Sequence, residues 1–184
     1  MAQHVCPPIV GYLLLNPLRK LLENPNEIVG PFVEPGMTVL EPGPGMGYYS
    51  LPLAQMVGPS GKVVVVDIQE KMLAKLGSRA AKAGLEARIE TRLAKGASLG
   101  VDDLAGMVDF TAAIHVVHEL PDQEVFFNEV YAALKPGGRL LMIEPPGHVK
   151  EKDFAKTILL ALGAGFELDE KASLPRGRSA VLVK

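Results

Sequence analysis

The chain has 184 residues, of which 48% are hydrophobic, and a formal net charge of −2. That content fits one ordinary domain with a real core and excludes a disordered chain. The charge balance and the lack of a basic block exclude a scaffold that grips nucleic-acid phosphates without sequence preference.

Residues 1–36 hold six prolines between "CPP" and "VEPG" and read as short helices laid against a core. Tyr12, Leu13, Leu14, Leu15 and Leu18 are expected to close an apolar lid. The apolar run Ile9–Leu15 has no positive residue before it and no small-residue cleavage site after it, so no secretory signal is expected. No apolar run approaches the roughly 18 residues that span a membrane. Cys6 is the only cysteine; no internal disulfide is expected, which suits a reducing cytoplasm. Beside His4 and two prolines, it reads as simply packed.

From residue 37 onward, strand and helix patterns alternate. "MTVLEP" (37–42) is a buried strand, and "YSLPLAQMV" (49–57) is helical. "KVVVVD" (62–67) is a continuous β-branched run, typical of a strand covered on both faces. "EKMLAKLGSRAAKA" (70–83) puts Met72, Leu73 and Leu76 on one helix face, and "ARIETRL" (87–93) is a weaker, alternating strand. "MVDFTAAI" (107–114) is a buried strand. "DQEVFFNEVYAALK" (122–135) is a helix with Val125, Phe126, Val130 and Leu134 on its apolar face, stopped by Pro136-Gly137-Gly138. "GRLLMIE" (138–144) is the fifth strand, "KEKDFAKTILLALGAG" (150–165) a helix, and "GFELDEK" (165–171) and "RSAVLVK" (178–184) the last two strands. Such alternation implies an α/β fold with a mainly parallel sheet and right-handed crossovers. Only "ASLPRG" separates the last two strands, too little for a crossover helix, so they form an antiparallel hairpin.

The loop after the first strand is where an open α/β sheet binds its ligand. It reads "LEPGPGMGYYS", with Gly43, Gly45 and Gly47 spaced G-x-G-x-G. A dinucleotide loop would want G-x-G-x-x-G, but the sixth position is Tyr48 counted from Gly43 and Ser50 counted from Gly45. The Gly-Lys-Ser/Thr of a P-loop is absent. Glu41 puts negative charge where a pyrophosphate would sit, so a cationic or zwitterionic ligand suits the place better. Asp67 ends the second strand 20 residues past Gly47, where an acid accepts from ribose hydroxyls; Ile68 beside it can cover a base.

These residues resemble the class I S-adenosylmethionine-dependent methyltransferases. "LEPGPGMG" is similar to the family's first motif, "VVVVDIQEKML" to its second, and "VDFTAAIHVVHELPDQEVFFNEVYAALKPGGRLLMIEP" to its fourth strand, following helix and fifth strand. The resemblance covers roughly residues 37–184 and is strongest to small bacterial and archaeal members without an inserted substrate domain. It implies a Rossmann-like three-layer αβα sandwich with a seven-stranded sheet in the order 3-2-1-4-5-7-6, strand 7 antiparallel. The domain expectation is therefore a single unit, 1–184, with residues 1–36 as a helical lid and 37–184 as the core. Position by position, Gly43, Gly45 and Gly47 would face the methionine moiety, and Glu41 would hold the ammonium. Asp67 would bind the ribose and Ile68 would pack on adenine. His115 would lie beside the cofactor, S-adenosylmethionine or its product S-adenosylhomocysteine. One departure is visible: where the family often has an aspartate for the adenine amino group, "LAKGASL" puts Lys95, which only donates. The turn Lys95-Gly96-Ala97 is still expected to meet the cofactor, through backbone carbonyls.

Acceptor chemistry belongs to the ends of the fourth and fifth strands, which lead into His115, His118 and Glu119, and into Glu144, Pro145, Pro146 and His148. The resemblance puts His118 on the substrate side, and histidine suits a general base at neutral pH. The plainer alternative is that His118 packs or caps the helix starting near Pro121. Glu119 is expected to be solvated or to partner a nearby base. His115, His118 and Glu119 form H-x-x-H-E, not the H-E-x-x-H zinc signature, so no metal is expected. The D/N/S-P-P-aromatic signature of amino-group DNA and protein methyltransferases would fall where "HVVHEL" stands. The expected partner is a small-molecule acceptor, with neither nucleic acid nor membrane, and the chain is expected to act as a monomer or homodimer. Two other readings stay open: a non-enzymatic S-adenosylmethionine-binding domain, and a nicotinamide-dependent oxidoreductase with a variant loop.

Overall fold

The computed structural model describes residues 23–172 and 177–184. The apolar residues Tyr12 to Leu18, His4 and Cys6 lie outside the described residues. Seven strands form one sheet: β1 Thr38–Pro42, β2 Lys62–Asp67, β3 Ile89–Leu93, β4 Val108–Ile114, β5 Leu134–Glu144, β6 Glu167–Leu168 and β7 Arg178–Val183. Their order is β3-β2-β1-β4-β5-β7-β6. The first five run parallel, and β7 runs antiparallel to both β5 and β6. This is the expected order, with the expected terminal hairpin. The order reverses between β1 and β4, so the crevice that binds ligands in such sheets opens at their carboxyl ends.

β2 explains why its sequence is a run of valines. Val64 and Val66 join one core with Leu40, Ala113, Phe126, Phe127 and Met142, whereas Val63 and Val65 join a second with Val39, Leu53, Leu76, Phe110 and Leu141. Successive side chains point to opposite faces, so a strand covered on both sides is apolar at every position.

The helices described are α1 Pro25–Ile28, α2 Ser50–Met56, α3 Glu70–Lys82, α4 Gln123–Ala133 and α5 Glu151–Gly163. α3 buries Met72, Leu73 and Leu76 as the spacing predicts, and Ala80 with them. α4 is capped by Asp122, whose side chain accepts from the Val125 N–H at 3.0 Å. Its buried face is Phe126, Phe127, Val130 and Ala133; of the expected set, Val125 is only partly buried, and Leu134 is buried but belongs to β5. The helix stops at Ala133 because Leu134 already pairs with Val108 in β5. Pro136-Gly137-Gly138 therefore does not separate helix from strand: it lies inside β5 as an irregularity, after which the register resumes at Phe110 and Arg139. β6 is shorter than its sequence pattern, only Glu167–Leu168.

Ahead of β1, the 3-10 turn Gly30–Phe32 stacks Phe32 on Phe110, with centroids 5.5 Å apart and planes at 8°. Among the described residues no helix is long and apolar enough to cross a membrane.

Candidate cofactor and acceptor site

The loop leaving β1 is bent by three glycines in left-handed conformations, but the surroundings of each differ. A Cβ on Gly43, at φ +65°, would stand 2.5 Å from Cγ2 and 2.9 Å from Cβ of Val116. One on Gly47 would meet Leu51 Cδ1 at 2.8 Å and Leu76 Cγ at 2.9 Å. One on Gly45, at φ +53°, would have nothing within 4 Å among the described residues. Of the three, it is therefore Gly45 that leaves bare backbone facing open space, while Gly43 and Gly47 let the loop press on the β4 exit and on the helices behind it. The Gly43 N–H donates to the Val66 carbonyl at 2.8 Å. From α3, the Arg79 guanidinium donates to the Met46 carbonyl and holds the loop from behind. Sequence reasoning did not find Arg79; its only trace there was a charge among the apolar positions of α3. Of the two tyrosines after the loop, Tyr49 is buried in the core and Tyr48 donates through its hydroxyl to the Glu23 carbonyl at 2.7 Å.

Glu41 sits at the end of β1 with 4% exposure, and its Oε2 is buried with no hydrogen-bond partner among the described residues. Burial pushes its carboxyl up to about 8; the neighbouring Ser50 hydroxyl pulls the other way, and the charge of Asp67 adds to the rise. Asp67, at the end of β2, is also raised by burial, against the backbone N–H groups of Gln69, Gly45 and Ile68. The Gln69 N–H donates to its Oδ1 at 2.8 Å. Ile68 is 54% exposed despite being a large apolar residue, so it offers a bare face beside Asp67. Glu41, Gly45, Asp67 and Ile68 thus come together as the spacing led one to expect.

The turn after β3 is pinned at both ends. The Ala94 N–H donates to the Asp67 carbonyl at 3.0 Å, and Lys95 bridges Ser98 across the tip formed by Gly96 and Ala97. Glu129, reaching from α4, accepts from the Ser98 hydroxyl and from the Leu99 N–H, the latter at 2.8 Å. A Glu129→Ala variant should strand that part-buried N–H and cost ~1–3 kcal/mol of stability, read by urea unfolding; an unchanged midpoint would show that the turn holds itself.

On the other side of the crevice, β4 ends at a sharp bend. His115 has φ +59°, the sole positive value among described non-glycine residues, and its N–H donates to the Ile143 carbonyl at 2.7 Å. Its Nε2 lies 3.5 Å from Oε1 of Glu23. The 3-10 turn Val117–Glu119 then carries His118. The His118 N–H donates to Glu144 Oε1 at 3.2 Å, and its Nδ1 makes a short hydrogen bond with Glu144 Oε2. Glu144 ends β5 and is 2% exposed. Glu119 is at 3.9 Å from the His118 Nε2 and the His148 ring lies 6.1 Å from that of His118. Glu119, expected to be solvated or to partner a nearby base, lies farther from the ring, and the close partner of His118 is Glu144. Its trace in the sequence is an acid closing an otherwise apolar strand run, "LLMIE". The hydrogen bond to Glu144 raises the His118 imidazole above its ordinary value; partial burial opposes this, and the charges of Glu144 and Glu119 add to it.

The residues present fit a cofactor with a cationic amino-acid tail, a ribose and an aromatic base. The buried oxygen of Glu41 lacks a partner, open space lies over Gly45, and Ile68 is bare beside Asp67. Among the described residues, no group of three or more His, Cys, Asp or Glu side chains is arranged to hold a metal ion.

Comparison with known proteins identifies the family. Residues 33–171 match the family described as "Methyltransferase domain". The chain is 37% identical over 106 residues to an arsenite methyltransferase of Halobacterium salinarum, covering 58% of this chain and 26% of that protein. It is 30% identical over 149 residues to a ubiquinone/menaquinone biosynthesis C-methyltransferase of Escherichia fergusonii, covering 81% of this chain and 55% of that one. The chain thus spans from a quarter to about half the length of these curated relatives. Among solved structures, a SAM dependent methyltransferase from Aquifex aeolicus superposes with a TM-score of 0.82 at 27% identity, covering 97% of each chain. The family match and the shared fold agree: the chain belongs to the methyltransferase domain family, among the small class I S-adenosylmethionine-dependent methyltransferases.

Proposed function

We propose that this chain moves the methyl group of S-adenosylmethionine to a small-molecule acceptor. The observation that carries the reading is the buried, unpartnered carboxylate oxygen of Glu41, next to Asp67 and the open face of Gly45. When bound, S-adenosylmethionine supplies an electrophilic methyl on a sulfonium, which leaves as a neutral thioether. In this reading Glu41 meets the ammonium, Asp67 accepts from the ribose hydroxyls and Ile68 lies on the adenine. The turn Lys95-Gly96-Ala97 borders the base, and His115 borders the methionine moiety. Gly45 offers backbone to the ligand, while Gly43 and Gly47 fix the loop that does so. The relatives named for arsenite and for ubiquinone/menaquinone biosynthesis support a small acceptor. Work in the cytoplasm as a monomer or homodimer, without nucleic acid or membrane, completes the proposal.

Calorimetry tests it. S-adenosylmethionine and S-adenosylhomocysteine should bind, and NAD should not; NAD binding tighter than both would overturn the reading in favour of an oxidoreductase. Asp67→Ala removes charge-assisted hydrogen bonds worth ~1.5–3 kcal/mol and should weaken both ligands ~10- to 150-fold. Wild-type affinity in that variant would remove Asp67 from the site. Transfer of a labelled methyl group to a component of a metabolite extract separates an enzyme from a domain that only binds.

A further inference from the structure

We propose that Arg178, at the start of β7, is an oxyanion site that grips a carboxylate or phosphate tail of the acceptor. The inference rests on the methyltransferase reading above and adds a substrate class and the residue that selects it.

Among the described residues, two charged side chains bury an atom that has no hydrogen-bond partner: Glu41 through Oε2 and Arg178 through Nε. The first is assigned above to the cationic tail of the cofactor. The second lies on the acceptor side. β7 runs antiparallel to β5, so its first residue stands where the parallel strands end, and Arg178 is in register with Glu144. The order β1-β4-β5-β7 sets the two orphaned charges on opposite sides of β4, one negative and one positive.

Arg178 is not placed as a fastening. An arginine that ties elements together spends its N–H groups on carbonyls or carboxylates. Here the side chain is half buried, and its Nε–H meets none of them among the described residues. Glu144, across the register, does not fill this role: Oε1 accepts from the His118 N–H and Oε2 meets the ring of His118. A water can take the Nε–H but leaves the charge unbalanced. A carboxylate or phosphate does both, because two of its oxygens fit the fork made by Nε and a terminal nitrogen. The sheet also sizes the acceptor. Neighbouring strands lie ~4.8 Å apart, so β7 stands roughly 10 Å from β4. The oxyanion is therefore a handle and not the group that is methylated at the β1–β4 crevice. One ring with a short acidic side chain spans the gap.

Nitrogen-edited NMR of the arginine side chains tests this in wild-type protein saturated with S-adenosylhomocysteine, with benzoate, phenyl phosphate and benzyl alcohol as probes. The Arg178 Nε–H resonance, assigned by its loss in Arg178→Lys, should shift saturably with either anion and stay in place with the alcohol. Arg178→Gln should weaken both anions ~10- to 150-fold while S-adenosylhomocysteine affinity stays within about twofold. Arg178→Lys keeps the charge without the fork and should fall between. Because the Nε–H has no described partner to lose, Arg178→Gln should unfold at the wild-type urea midpoint. With labelled S-adenosylmethionine and a metabolite extract, the labelled product should be held by an anion-exchange resin at neutral pH, and Arg178→Gln should raise KM for it more than it lowers kcat. If wild-type protein binds no S-adenosylmethionine, the assignment to an acceptor falls together with the methyltransferase reading. If it binds, three results overturn the oxyanion site alone: benzyl alcohol shifts the resonance as benzoate does, Arg178→Gln keeps wild-type affinity for both anions, or the labelled product passes the resin freely. A lowered urea midpoint with unchanged anion binding would make Arg178 a structural residue.

Discussion

A Gly43→Ala protein should fold less stably by ~2–5 kcal/mol and bind S-adenosylmethionine at least about 100-fold more weakly. Two costs add. A side chain at φ +65° carries ~1–2 kcal/mol of backbone strain, and the new Cβ overlaps Val116 at 2.5 and 2.9 Å, an overpacking worth ~1–3 kcal/mol. Relief requires either the loop or the β4 exit to shift, and both frame the crevice. Gly45→Ala is the control, because its Cβ meets open space. That variant should pay the backbone strain alone in urea unfolding, yet still lose cofactor affinity, since the space it fills is the one assigned to the ligand. Equal stability of Gly43→Ala and wild type would show that Val116 yields freely and that the loop is not wedged.

The second large effect is in pH. In the folded chain without cofactor, the Glu41 carboxyl is pushed up to about 8 by burial, from an ordinary 4.5. Between those values the folded state holds a proton that the unfolded chain has lost. Stability from this group is thus fully present below 4.5 and falls as pH rises through about 8. At ~1.4 kcal/mol per unit, the loss is several kcal/mol, and Glu41→Gln should flatten the slope of stability against pH. A cationic ligand reverses the preference, because an ammonium stabilises the carboxylate. Binding of S-adenosylmethionine below pH 8 should therefore expel a proton. Calorimetry in two buffers of different ionisation heat should find close to one proton released at pH 7 and little above pH 9. Absence of any release at pH 7, or an unchanged affinity in Glu41→Gln, would separate Glu41 from ammonium recognition.

The cofactor half of the site was legible because its chemistry is local. Glu41, Gly45, Asp67 and Ile68 lie within a few residues of two strand ends, and the parallel pairing of β1 with β2 brings those ends together. The valines of β2 were legible for a similar reason, since burial on both faces removes alternation. The acceptor half was less so. Glu144 lies 26 residues from His118, and its meeting with that ring depends on the β4–β5 register, which no spacing rule supplies. Glu119 looked the closer partner only in sequence. Arg79 was hidden in the same way, since its contact with Met46 spans 33 residues. The misplaced start of β5 has another cause: Pro-Gly-Gly stops helices as well as it bends strands, and only the pairing of Leu134 with Val108 decides between the two.

His115 bends the chain as β4 leaves the sheet, at a backbone angle that glycine or asparagine takes more readily. The bend persists because its N–H is fastened to Ile143 and the next residue is wedged under Gly43. Its strain is thus held by the neighbouring strand and the facing loop, not by the turn itself. The crevice wall behaves as a sprung joint: loosening either restraint lets the other relax. The carboxyl end of the sheet is accordingly where this fold stores backbone strain, and the restraints that hold it are the ones that shape the site.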